Sequence, residues 1–383
     1  MTSERLLLGP GPSPVSARVM HALSQPVLSH LDPEMMGILD DIRRRLDWAF
    51  GAANGAFSLA ISGTGTSGME AAVANVVVPG TRALVVVTGY FGDRLAQIFQ
   101  RYGAAVSRLD VEWGRACDPA AVERALAASP ADVVAVVHAE TSTGVLNPVQ
   151  EIARIGADAG ALTVVDAVTS LGAMPLRTED WAIDVCYSCS QKGLGAPSGL
   201  APITFSARAR ARTVPSRSFY LDLALLEDYW VRRKYHHTIS APLVYVLREA
   251  LMVVEEEGLE NRWSRHRRNH LALAAGLDAL GLSLLPPAPE RLWTLNAVRV
   301  PDGVDEAAVR RRLLDEFSIE IGAGLGPLAG RIWRVGLMGA GSSVSNVLLF
   351  LSALERVLSA SGYRAGATNA AMAAAESAFA QGA

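Results

Sequence analysis

The chain reads as an α/β protein with a mostly parallel, seven-stranded sheet in a large domain, followed by a smaller α+β C-terminal domain. Two observations predict this. Short β-branched apolar runs alternate with longer helical patterns up to about residue 258, as parallel strands joined by crossover helices require. Beyond Gly258 the pattern changes to a long Arg-rich helix and then to mixed short elements. A length of 383 residues suits two domains, since one usually holds ~100–200. The expected divisions are an N-terminal arm at 1–20, a large domain at 21–258, a small domain at 259–364 and an Ala-rich tail at 365–383.

Each element has a local cause. The strand candidates are Phe57–Ile61, Ala83–Val87, Ala105–Val111, Val133–His138, Leu162–Val165, Asp184–Ser188 and Pro202–Ser206. Helices between them carry end signals: Asp118-Pro119 is an N-cap with proline at the first helical position, and Gly103 and Gly160 close the helices before them. In the second part the sequence predicts a helix over Leu259–Leu280, an extended run at Leu292–Val300, a helix at Asp305–Phe317, extended runs at Ile319–Gly322 and Ile332–Met338, and a helix at Val344–Leu358. The tail reads equally as a docked helix or a frayed end.

Composition excludes several functions. Net charge is −3 and neither sign forms a long block, which argues against a nucleic-acid stripe or a polybasic membrane patch. The apolar runs are too short to span a bilayer and the first residues lack a signal peptide's apolar core, so a cytoplasmic protein is expected. Three cysteines, Cys117, Cys186 and Cys189, cannot pair completely and are expected reduced. Of 35 basic residues only Lys192 and Lys234 are lysines, so any lysine chemistry must use one of these.

Three groups point to a site. Ser62-Gly-Thr-Gly-Thr-Ser-Gly68 follows a strand and opens a helix, where backbone N–H groups and the helix dipole can hold a phosphate. It matches G-x-G-x-x-G, but the next strand ends in Val87-Thr-Gly89 without the acidic residue a nicotinamide dinucleotide needs. Asp166 ends an apolar run, placing a carboxylate at the carboxyl edge of a buried strand. Lys192 lies beside Gly193 in Cys186-Tyr-Ser-Cys-Ser-Gln-Lys192, in a chain that uses arginine almost everywhere else. Arginine stays protonated, whereas a lysine in a dry pocket can lose its proton and attack a carbonyl. A phosphate cradle, a strand-end aspartate and a sequestered lysine are the groups pyridoxal 5'-phosphate requires: lysine for the Schiff base, aspartate for the pyridine nitrogen, cradle for the phosphate.

The ordered motifs Leu8-Gly-Pro-Gly-Pro-Ser13, Ser29-His-Leu-Asp-Pro-Glu34, Ile61-Ser-Gly-Thr-Gly-Thr66, Glu140-Thr-Ser-Thr-Gly144, Val165-Asp-Ala167, Ser190-Gln-Lys192, Tyr235-His-His-Thr238 and Trp333-Arg-Val-Gly-Leu337 resemble those of the class V, fold-type I aminotransferases, and within them the alanine–glyoxylate and serine–glyoxylate group. The resemblance spans about Leu6 to Leu358. It implies that Lys192 is the cofactor lysine and Asp166 the partner of the pyridine nitrogen, with Thr64, Gly65, Thr66 and Gln191 around the phosphate. Thr141 would sit by the cofactor oxygen and the substrate carboxylate, and Arg334 would anchor that carboxylate bidentately. Tyr235 and Thr238 match residues that reach the neighbouring subunit's phosphate, so a homodimer with shared sites is implied. Gly11, Ser29 and His30 would contact substrate, Ser29 and His30 in the partner's pocket.

Departures from the family qualify this. Phe91 stands where close relatives often carry a tryptophan stacked on the cofactor; it still stacks, with less area and no N–H. Thr141 replaces a common serine and adds a methyl group, and Gln381-Gly-Ala383 lacks the peroxisomal signal of some eukaryotic relatives. The Cys186/Cys189 spacing puts the thiols on opposite faces of a strand, and His236-His237 lacks a second ligand cluster, so neither a dithiol nor a metal is expected. Arg43–Arg45 and Arg310–Arg312 read as solvated faces. Arg334, inside an apolar run, requires an anionic partner.

The expected reaction is ping-pong transamination between a small amino acid, alanine or serine, and glyoxylate or pyruvate. Ureidoglycine, aspartate, 3-hydroxykynurenine, aminoethylphosphonate or pyridoxamine are donors of related enzymes. A cysteine desulfurase needs a cysteine in the small domain, and none follows Cys189. A nicotinamide-dependent oxidoreductase would leave Lys192 unexplained, and a non-catalytic binding module would leave lysine, aspartate and arginine all without a purpose.

Overall fold

A computed structural model describes residues 4–363 and 369–382; part of the Ala-rich tail, 365–368 and 383, lies outside these. In chain order the first elements are β1 (Leu6–Leu7), α1 (Ala17–His21), α2 (Pro33–Phe50), β2 (Phe57–Ser62), α3 (Gly65–Ala74), β3 (Arg82–Val87), α4 (Tyr90–Arg101), β4 (Ala105–Asp110), α5 (Pro119–Ala128) and β5 (Val133–Val137). A two-stranded hairpin, β6 (Ala139–Glu140) and β7 (Val145–Leu146), precedes α6 (Val149–Asp158), β8 (Leu162–Asp166), β9 (Val185–Tyr187), β10 (Leu200–Phe205), α7 (Ala207–Arg210), α8 (Leu223–Trp230) and α9 (Ala241–Glu257). Then come α10 (Leu259–Ala279), β11 (Leu295–Arg299), α11 (Glu306–Phe317), β12 (Ile319–Glu320), β13 (Gly322–Ala323), β14 (Ile332–Gly336), α12 (Val344–Ala360) and α13 (Ala370–Ala380).

The seven-stranded sheet runs β2-β10-β9-β8-β5-β3-β4. It is parallel except for β10, which is antiparallel to both neighbours. Its central strands β5 and β8 are buried along their whole length, which is why β5 reads as an unbroken apolar run and β8 as a mostly apolar one. The expected Asp118 cap forms, and Asp32 caps α2 in the same way: each accepts a backbone N–H from the first turn of a helix that opens with proline.

A second core gathers around α10, α12 and the small sheet β11-β14-β13, with Leu273, Trp333, Val335, Phe350 and Leu354 at its centre. Leu8 from the N-terminal arm belongs to this core, because β1 pairs in parallel with β12. Helix α13 docks through buried Ala371 and Ala375, the former against α10 at Gly276. Two expected runs are interrupted. Val133–His138 stops at Val137, and Ile319–Gly322 divides into β12, which takes the arm, and β13, which pairs with β14. Among the described residues no helix is long and apolar enough to cross a membrane.

Candidate active site

The carboxyl ends of five sheet strands surround one cavity of about 170 Å³. Thr64, Gly65 and Thr66 follow β2; Phe91 and Arg94 follow β3; Thr141 follows β5; Asp166 ends β8; Gln191 and Lys192 follow β9. This is the edge at which open α/β sheets receive ligands.

At the floor, β8 delivers Asp166 with only 3 % of its surface exposed. Its Oδ1 accepts the Val168 N–H at 2.8 Å and its Oδ2 accepts the Tyr187 phenol at 3.0 Å. Burial outweighs these donors and, with Glu140 nearby, holds the carboxyl at about 7 instead of 3.8. The amine of Lys192 faces the same cavity and donates to the Pro10 carbonyl of the N-terminal arm. Burial, reinforced by the positive charge of Arg334, lowers its pKa from the ordinary lysine value. The Lys192 main chain is fixed as well: Ser13 Oγ donates to its carbonyl at 2.9 Å, and Arg262 Nη2 donates to Gly193 O at 2.8 Å.

One wall is the start of α3. Thr64 occupies the N-cap without a side-chain cap bond, so the first N–H groups of the helix stay open at the positive end of its dipole. Gln191 buries a side-chain oxygen that has no partner. The Phe91 ring also lines the cavity, with the Arg94 guanidinium 5.2 Å from its centroid and Arg94 Nη1 bonded to Thr66 Oγ1 at 3.1 Å.

Arg334, on β14, is 7 % exposed. Its Nε donates to Ala323 O at 2.6 Å and its Nη1 to Thr141 O at 3.5 Å. Among the described residues no carboxylate lies within ion-pair distance of it, and burial lowers its pKa. It is a buried guanidinium with hydrogen-bonding capacity left over.

Eight of the sequence-designated residues therefore line one cavity: Thr64, Gly65, Thr66, Phe91, Thr141, Asp166, Gln191 and Lys192. Gly11 packs directly against the Lys192 side chain, and Arg334 reaches the site through Thr141. Ser29, His30, Tyr235 and Thr238 do not line this cavity in their own chain. His30 and Tyr235 instead meet each other, ring centroids 5.1 Å apart, in a cluster where His237 bonds Ser62 Oγ at 2.9 Å and Tyr229 donates to the His30 carbonyl at 2.8 Å. Among the described residues no cluster suited to a metal occurs, and the three cysteines are free and buried. The sequence reading missed Tyr187, Arg94 and Glu140. Arg94 had one available signal, its place one helical turn after Tyr90. The contact of Tyr187 depends on strand register, which no local pattern carries.

Comparison with known proteins agrees with this geometry. Residues 7–330 match the family model for class-V aminotransferases. The chain is 37% identical over 367 residues to the alanine–glyoxylate aminotransferase of Drosophila melanogaster, a match covering 93% of each chain. Its structure superimposes on the crystal structure of an alanine–glyoxylate aminotransferase from Nostoc sp. with a TM-score of 0.91 and 44% identity, covering 94% of this chain and 96% of that one. For the ureidoglycine–glyoxylate aminotransferase of Bacillus subtilis the TM-score is 0.96 at 39% identity, with 99% of each chain covered.

Proposed function

The chain belongs to the class-V aminotransferases, pyridoxal-phosphate-dependent enzymes of fold type I, and from that premise we propose that it transfers the amino group of alanine or serine to glyoxylate or pyruvate. The cofactor of this reading is pyridoxal 5'-phosphate. The residues present fit it on their own chemistry: an open helix N-terminus for the phosphate, a buried carboxyl and a desolvated amine all line one cavity. When bound, the cofactor supplies a ring that accepts electrons from the substrate carbon.

The protein's own groups supply the rest. Asp166 would hold a proton on the ring nitrogen, with its two oxygens oriented by the Tyr187 phenol and the Val168 N–H. Lys192 would hold the cofactor through its aldehyde, and its Nζ would take up the proton that leaves the substrate α-carbon. A lowered pKa lets that nitrogen be unprotonated when it must accept. Thr64, Gly65, Thr66 and Gln191 would hold the phosphate, Phe91 would stack on the ring, and Thr141 would contact the cofactor oxygen and the substrate carboxylate.

Substrate size rests on Arg334. A buried guanidinium with no carboxylate in ion-pair reach among the described residues is costly unless an anion completes it, and one such arginine anchors one carboxylate. That single observation favours a small neutral amino acid over a dicarboxylate. The second reading is ureidoglycine as donor, favoured by the match to the Bacillus enzyme over 99% of each chain.

The proposed unit is a cytoplasmic homodimer of chains divided at 21–258 and 259–364. In it the Tyr235 and Thr238 segment completes the partner's phosphate site, and Gly11 of one chain with Ser29 and His30 of the other flank the substrate. The displacement of Ser29, His30, Tyr235 and Thr238 from the Lys192 cavity of their own chain supports that arrangement.

A single-turnover screen tests the donor. Alanine or serine should convert the bound cofactor from its aldehyde to its amine form, followed by absorbance; conversion by ureidoglycine alone selects the second reading. Sedimentation of the purified chain as a monomer would overturn the shared-site arrangement.

A further inference from the structure

We propose that Glu140 is the positioning residue of this active site, the buried carboxylate that fixes the Phe91 backbone and the Thr141 peptide, both of which line the cavity. The inference rests on the aminotransferase reading and adds a residue that touches neither cofactor nor substrate.

Glu140 is fully buried at the end of the short strand β6. Its Oε2 accepts two backbone N–H groups, from Phe91 and Gly92, both at 3.1 Å. Its Oε1 accepts the Ser142 N–H at 3.0 Å and the Ser142 hydroxyl at 2.6 Å. Ser142 Oγ in turn accepts the Tyr90 N–H at 2.9 Å. The first three N–H groups of α4, which a helix leaves without intrahelical acceptors, are thus all held by two side chains of the β6–β7 hairpin.

Ordinary capping would come from the residue before the helix. Here that residue is Gly89, which offers no side chain, and a Cβ at this position would collide with Ser142 Oγ and stand 2.6 Å from Glu140 Cγ. The acceptor has been moved from the helix's own cap to a different strand, so α4 can enter the sheet edge at only one height. Phe91 is the second residue of that helix and its ring faces the cavity.

The same side chain acts in the other direction. Thr141, between Glu140 and Ser142, lines the cavity and offers its carbonyl to Arg334. The negative charge of Glu140 also opposes the loss of charge that burial imposes on the Arg334 guanidinium. Three fixed N–H donors with no facing acceptor favour the ionised form, as does the positive end of the α4 dipole. Burial works against them and raises the pKa of this carboxyl.

The test uses the cofactor-free full chain and two variants. Glu140→Met keeps the volume and removes both acceptors; Glu140→Gln keeps one. We expect Glu140→Met to bind pyridoxal phosphate at least ten-fold more weakly by titration and to alter the visible circular dichroism of what is bound. Amide exchange at Phe91 and Gly92 should accelerate in the cofactor-free protein, with Glu140→Gln intermediate on all three measures. Should Glu140→Met fail to fold, Glu140→Gln alone carries the test, with a several-fold weaker cofactor and an altered circular dichroism expected. Cofactor affinity and dichroism equal to wild type in the folded variants would overturn the proposal. Failure of the wild-type chain to bind the cofactor would instead overturn the aminotransferase reading on which it rests.

Discussion

Tyr187 and Asp166 sit side by side on β9 and β8, in register, and the buried phenol donates a 3.0 Å hydrogen bond to the carboxylate. A hydrogen bond to a charged group contributes about 1.5–3 kcal/mol. Tyr187→Phe keeps the ring and deletes the donor, so it should lower turnover by about ten-fold or more and raise the Asp166 pKa further in the cofactor-free protein. Steady-state kinetics and a pH titration of the variant check both; unchanged kinetics would make the phenol a packing feature.

Lys192 is confined by the arm as well as by its own loop. At Gly11 the backbone has φ +109°, and a Cβ there would collide with Lys192 Nζ and lie 2.7 Å from Cε. Gly11→Ala therefore both strains the backbone and displaces the amine. Because misplacing a reacting group by about 1 Å can cost on the order of 10²-fold, turnover should fall by at least that much. Lys192→Ala should abolish turnover altogether. Retained activity in Lys192→Ala would remove this lysine from the chemistry.

Much of this site was legible before the structure, and the reasons differ by residue. Lys192 stood out because the chain has almost no lysine, and Asp166 because a charge ends a mostly apolar strand. The cradle was visible as glycines between a strand and a helix. Tyr187 and Glu140 were not, since each acts across a spacing set by tertiary structure: register between β8 and β9 in one case, a hairpin reaching a distant helix in the other. The reversed direction of β10 was hidden for the same reason, because an apolar run is alike read either way. Ser29, His30, Tyr235 and Thr238 illustrate a further limit, as nothing in one chain brings them to the cavity beside Lys192.

Arg334 offers a sharper substrate test than deletion. Its Nε is engaged with Ala323 O and one terminal nitrogen with Thr141 O, leaving the fork only partly used. Arg334→Lys preserves the charge and loses the planar pair of donors. It should raise KM for the amino acid by about 10–100-fold, in line with about 1.5–3 kcal/mol for a charged hydrogen bond. Cofactor affinity should hold near wild type. A KM that does not move would reassign this arginine to structure.

The Asp166 carboxyl makes a signed prediction for the cofactor-free protein. Its pKa in the fold is about 7 against 3.8 for an ordinary aspartate, so the folded state holds a proton that the unfolded chain releases. The stability contributed by this group is complete below pH 3.8 and is lost as pH rises through about 7, on the order of 4 kcal/mol across that interval. Glu140 is also raised and adds a slope of the same sign, so the comparison must be with a variant rather than with a flat line. Asp166→Asn retains shape and removes the titration. Denaturant unfolding of cofactor-free wild type and Asp166→Asn at pH 4, 5.5, 7 and 8 should show the variant gaining relative stability as pH rises and levelling above the folded pKa. A difference independent of pH would show that Asp166 is ionised throughout, and that Tyr187 and the Val168 N–H outweigh its burial.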